Sequence, residues 1–146
     1  MTVELAESNF ILIKKETEIA APPQIVWDAM LQEIGPATVR PDGTPMPLTL
    51  EPWPGGRYYR DLGNKTGHLW AHVQVIKPPS LLELHGPLMM SAAAISHVQY
   101  RLTPEGRGTR LTLTHRAMGE ISPELREGMP KGWQHFVDRI RDRAQR

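Results

Sequence analysis

Few residues in this chain have the chemical reach to do more than pack. It carries six histidines, three tyrosines and four tryptophans, and it has no cysteine. Disulfides, thiolate zinc sites, iron–sulfur clusters and a cysteine nucleophile are therefore excluded. His68 and His72 stand four apart, a spacing that lets two imidazoles share a metal on a helix. The segment around them reads as a strand, where four residues span about 13 Å. That is too far for one zinc ion with bonds near about 2 Å, so no metal is expected. Gly55-Gly56 precedes no helix whose N-terminus can cap a phosphate, and it reads as a turn. Neither His-Glu-x-x-His nor Gly-x-Ser-x-Gly occurs, and no cofactor is expected. Arg139, Arg141, Arg143 and Arg146 interleave with Asp138 and Asp142 in a chain of net charge +1. They read as a solvated helix end, with no nucleic-acid partner.

His115 remains. A buried neutral imidazole can orient a ligand or act as a base, because its ordinary pKa is about 6.5. It can equally be a core histidine satisfied by a backbone or hydroxyl group. What decides between these is where the surrounding elements aim it.

Residues 10–19 alternate, with Ile11, Ile13 and Ile19 on one face and Lys14, Glu16 and Glu18 on the other. That period of two predicts a strand. Pro22-Pro23 then opens a short helix to about Gln32, carrying Ile25, Val26, Ala29 and Met30 with Trp27 flanking. Residues 35–47 hold Gly35, Pro36, Pro41, Gly43, Pro45 and Pro47, an irregular loop of unusual length. From 48 to 117 the chain reads as strands 48–52, 57–62, 69–76, 81–88, 94–102 and 109–117. Gly/Pro turns join them closely enough to demand antiparallel pairing. Ser122 can cap a helix and Pro123 can sit at its first position, but Gly128 and Pro130 then interrupt the C-terminal region. After them Trp133, Phe136, Val137, Ile140 and Ala144 follow helical spacing for about four turns.

Parity assigns the faces. Val98, Tyr100 and Leu102 must meet Leu111 and Leu113, because a one-residue slip turns a whole strand over. Their face continues to His115 and Ala117, so His115 points inward and His97 outward. In the middle hairpin Leu82 and Leu84 match Val73, Val75 and Ala71. Trp70, His72 and Gln74 then fall outside with Glu83 and His85. Of Tyr58 and Tyr59, only one faces in.

Several segments together carry a family likeness. They are Ala20-Ala21-Pro22-Pro23-Gln24-Ile25-Val26-Trp27-Asp28-Ala29, Pro54-Gly55-Gly56-Arg57-Tyr58 and Lys77-Pro78-Pro79-Ser80-Leu81-Leu82-Glu83-Leu84. Gly108-Thr109-Arg110-Leu111-Thr112-Leu113-Thr114-His115 and Lys131-Gly132-Trp133 complete the set. In combination with the element order, they resemble the START/Bet v 1-like (SRPBCC) superfamily. The nearest branch is the bacterial group named for homology to the C-terminal domain of the activator of Hsp90 ATPase. The resemblance implies an α+β helix-grip fold, with a curved antiparallel sheet of about seven strands wrapped around a long C-terminal helix. It also implies a cavity between sheet and helix, which relatives use for lipids, hormones or polyketides and a minority use for cyclisation or hydrolysis. Residues 35–47 depart from the pattern, where a second short helix is usual.

A length of 146 residues fits one domain over 1–146. The N-terminus lacks a basic n-region, and no apolar run approaches the roughly 18 residues of a membrane span. A cytoplasmic protein without membrane insertion is expected, and a homodimer stays open. The leading function is binding of a mostly apolar small molecule with a carbonyl or hydroxyl. Its expected contacts are His115, Tyr100, Val98, Met89, Met90, Met118 and Trp133, in space left by a late start of the last helix. One alternative is a cyclase, dehydratase or hydrolase using His115 with Tyr100 or another, unassigned tyrosine. Another is a chaperone-interaction module with an exposed patch around Trp53 and Trp70.

Overall fold

The computed structural model describes residues 9–88 and 91–146. Its elements run β1 (Asn9–Ile19), α1 (Pro23–Glu33), β2 (Thr49–Leu50), β3 (Arg57–Gly63), β4 (Thr66–Lys77), β5 (Leu81–Gly86), β6 (Ala94–Glu105), β7 (Gly108–Gly119) and α2 (Pro123–Ala144). Among the described residues the strands form one antiparallel sheet in the order β1-β7-β6-β5-β4-β3-β2. The apolar face of this sheet buries the stripe of α2, which is the α+β helix-grip arrangement. Among the described residues no helix is long and apolar enough to cross a membrane.

The β6–β7 pair has the register that parity demands. Val98 lies opposite His115, Tyr100 opposite Leu113 and Leu102 opposite Leu111, all buried. Strand β4 behaves differently, because it is bulged on both sides. Tyr58 pairs with Ala71 but Tyr59 pairs with Leu69, which leaves Trp70 as an extra residue. A bulge breaks the strict alternation of faces. Trp70 is thereby turned into the core at 6% exposure, not outward as simple alternation predicts. Gly86 lets β5 pass this point: a Cβ there would stand 2.5 Å from the Trp70 carbonyl oxygen. On the other side Val73 pairs with Leu84 and Val75 with Glu83. Past the extra Gln74, Ile76 takes the core-facing place opposite Leu82, and Val75 loses the place that parity assigned to it. Of the two tyrosines, Tyr58 is buried, and its hydroxyl donates to the Ile34 carbonyl at 2.6 Å.

Two prolines open α1. Val26, Trp27, Ala29 and Met30 are buried, while Ile25 faces out; Trp27 replaces Ile25 on the packed face. Residues 35–47 are a tied turn. Thr38 Oγ1 donates to the Glu33 and Gly35 carbonyls, Met46 N donates back to Thr38 O, and Val39 bridges Pro45.

The last helix starts at Pro123, as Ser122 and Pro123 suggest, and runs through Gly128 and Pro130 without the interruption expected there. Ser122 caps it by accepting from Leu125 N. Pro130 forfeits one intrahelical hydrogen bond. Yet Leu125, Met129, Trp133, Val137, Ile140 and Ala144 form one stripe against the core through it. Burial of that stripe outweighs the lost bond. Near its C-terminus α2 is clamped to α1. Glu33, 1% exposed, accepts from Arg139 Nε at 2.6 Å and from Arg143 Nε.

Candidate functional site

Strands β6 and β7 and the middle of α2 bring His115, Tyr100, Val98 and Trp133 together, all buried. The Trp133 indole Nε1–H donates to His115 Nδ1 at 2.9 Å. An indole N–H can only donate, so Nδ1 is an acceptor and carries no proton. The proton of the neutral ring then sits on Nε2 and is donated to Ser96 Oγ at 2.8 Å. Burial pushes the His115 pKa down to about 4, because the charged ring would lose its water. In this tautomer His115 cannot take a proton from Ser96, so the pair is not a nucleophile and its base. The arrangement is the hydroxyl-satisfied core histidine, extended by the indole. Ser96 was not among the expected contacts. Its signal was available, since it shares a face with Val98 by parity.

Aromatic rings continue across the sheet. Trp133 meets His115 and Tyr100 edge-on with centroids 5.4 and 6.3 Å apart, and Phe136 at 5.8 Å. Tyr58 and Trp70 meet edge-on at 5.8 Å. Burial alone pushes the Tyr100 phenol pKa upward. Tyr58, Trp70, Leu84, Leu88, Tyr100, Trp133 and Phe136 surround a central space of only about 10 Å³. That is at most the room one water needs, so the interior is closed around its rings. A second space of about 160 Å³ runs along α2 between Glu124, Leu125, Gly128, Met129, Gly132, Trp133 and Phe136. Trp133 and Phe136 line both spaces and separate them.

Met118 does not join this group. It is 57% exposed on the outer face, because alternation sends Ala117 inward and its neighbour out. Met118 lies between Phe10 and Ile95 in the sheet register, and all three are exposed. Met89 and Met90 lie outside the described residues. The apolar patch expected around Trp53 and Trp70 does not form, since Trp53 is exposed but Trp70 is interior. The contiguous exposed row is the one at Phe10, Met118 and Ile95.

Residues 20–145 match the family described as Activator of Hsp90 ATPase homolog 1-like protein. The chain belongs to that family. No curated protein matches it. Among solved structures it is similar to CV1439 from Chromobacterium violaceum, with a TM-score of 0.73 at 14% identity over 92% of this chain and 97% of that one. SA2116, a Staphylococcus aureus protein of unknown function, superposes with a TM-score of 0.69 at 12% identity, covering 94% of this chain and 95% of its own. Ara h 8.0201 gives a TM-score of 0.63 at 10% identity over 93% and 98%. At these identities the likeness establishes the helix-grip fold of the START/Bet v 1-like superfamily.

Proposed function

We propose that this family member binds a mostly apolar small molecule between its sheet and α2, entering along the groove on α2. One observation carries the reading. The apolar groove and the ring-lined interior share Trp133 and Phe136 as a common wall, so the groove is the natural approach to the interior. Its volume of about 160 Å³ suits one ring-sized apolar fragment, since an apolar cavity of about 150 Å³ takes benzene. His115, Tyr100, Val98 and Trp133 are the interior contacts; Tyr100 supplies a polar handle, and His115 supplies a second only where a ligand takes the place of Trp133 or Ser96 at a ring nitrogen. The buried His115–Ser96–Trp133 bonding gives no support to catalysis.

Native mass spectrometry of protein purified from its own host tests this reading. A small molecule that co-purifies and leaves on denaturation is expected. Leu125→Arg, which puts a charge at the groove mouth, should then weaken uptake of an apolar dye about tenfold or more while the fold survives. A bare protein mass, together with dye binding that Leu125→Arg leaves unchanged, would sink the reading.

A further inference from the structure

We propose that His72, His85 and His97 form a divalent transition-metal site on the outer face of the sheet. The site lies on the opposite face from His115 and is independent of ligand binding in the interior.

Three of the six histidines fall on one row of the sheet. His72 of β4 lies opposite His85 of β5, and His85 lies opposite His97 of β6. Their neighbours Ala71, Val73, Leu84, Ser96 and Val98 are buried on the inner face, so alternation turns all three imidazoles outward. His68, four residues before His72, lies beyond the bulge at Trp70 and opposite Arg60, outside the row.

Two of the rings already face each other. His72 and His85 have ring centroids 6.1 Å apart and planes 26° from parallel. Two imidazoles on one tetrahedral zinc, with Zn–N bonds of about 2 Å, have centroids roughly 5 Å apart. The pair therefore has to close by only about 1 Å. Strand β4 sets His72 up for this. Between the extra residues Trp70 and Gln74 only 71–73 keep a regular register, and His72 is the one of them that points out. Bulges re-aim side chains in this way.

His97 adds a feature common to metal ligands. Its Nε2 meets Glu83 Oε1 at 3.0 Å, and Glu83 Oε2 accepts from Gln99 Nε2 at 3.1 Å. A carboxylate on one ring nitrogen fixes the ring and leaves the other, Nδ1, to ligate. Among the described residues no three His, Asp or Glu side chains already converge at cation distance. His85, exposed on the middle strand, turns between its two neighbours to complete the site.

The surroundings select the class of ion. Arg57 stands opposite His72 and Arg116 opposite His97. Arg57 is paired with Glu51, and Glu83 brings one negative charge against Arg116. Without a surplus of carboxylates, a hard oxygen-seeking cation such as calcium has little to hold it. Neutral imidazoles favour zinc, nickel or copper(II) instead.

Zinc titrated into the full chain, followed by calorimetry and by the imidazole NMR signals, tests the site. One equivalent should shift the signals of His72, His85 and His97 and leave those of His68 and His135 in place. His85→Asn, at an exposed position, should weaken zinc binding about a hundredfold and abolish the rise in Tm that zinc gives the wild-type protein. Glu83→Gln should weaken binding about tenfold. His68→Asn is the control and should leave the affinity unchanged. Zinc affinity untouched by His85→Asn, or His68 and His135 signals moving in step with the row, would mean an adventitious ion only and overturn the site. Wild-type affinity in His97→Asn would confine the ion to β4 and β5 and overturn the three-strand row.

Discussion

The two walls of the interior are built on opposite principles. The β6–β7 wall is regular: its register from Ala94–Gly119 to Glu105–Gly108 has no shift. Every second side chain faces in, and His115 among them is met by Ser96 from the same face and by Trp133. The β3–β4–β5 wall is irregular, with extra residues at Trp70 and Gln74. There the inner face gains a large ring that alternation would have sent to solvent. Regular pairing fixes a polar group in place, because its partners are set by parity and distance. Bulging adds aromatic bulk at a point where neighbouring strands offer room. The two walls meet in the rings around the central space.

Replacing Trp70 with Ala is the most severe way to break this contrast. If the bulge holds Trp70 inside, the change should cost about 3–5 kcal/mol in denaturant unfolding, as buried Trp→Ala changes do. A cost within about 0.5 kcal/mol, normal for surface sites, would return Trp70 to the outer face and remove the bulge from the argument.

Acid attacks the other wall. The folded His115 pKa is lowered from 6.5 to about 4, so the unfolded chain takes up this proton first. The stability due to the neutral ring is complete above pH 6.5 and is lost as pH falls toward 4. The loss attributable to this group is up to about 3 kcal/mol. His115→Phe should flatten that part of the profile, and an unchanged acid limb in the variant would assign it to other groups.

At neutral pH the same substitution keeps a ring but strands the Trp133 N–H and the Ser96 hydroxyl. The expected cost is about 1–3 kcal/mol, together with faster exchange of the Trp133 indole proton. A neutral effect on both would mean that His115 contributes only volume.

Met118→Lys should be the mildest change, within about 0.5 kcal/mol, because its side chain already faces solvent beside Phe10 and Ile95. A loss of several kcal/mol would place Met118 in the interior and contradict the alternation of β7.

Strand faces along β1, β6 and β7 were legible in the sequence, and so was His115 inside, because a period of two leaves no second solution once one face must be apolar. The closing stripe on α2 was legible for the same kind of reason, from Trp133 to Ala144. Turns at Pro54-Gly55-Gly56 and Pro78-Pro79 carried their own residue signals. Trp70 was not legible. A bulge is a mismatch between two strands, and one strand's sequence does not reveal how its partner counts. The start of α2 carried its own signal in Ser122 and Pro123, but its unbroken run was hidden, since local propensity at Gly128 and Pro130 argues for a break. Only burial of Leu125 and Met129 on a surface built by distant strands outweighs it. The bond from Trp133 to His115, and the few cubic ångströms left beside it, were likewise settled in three dimensions. Sequence periodicity sets which way a side chain points, but the distance between two side chains, and the volume between them, depends on how whole elements close on one another.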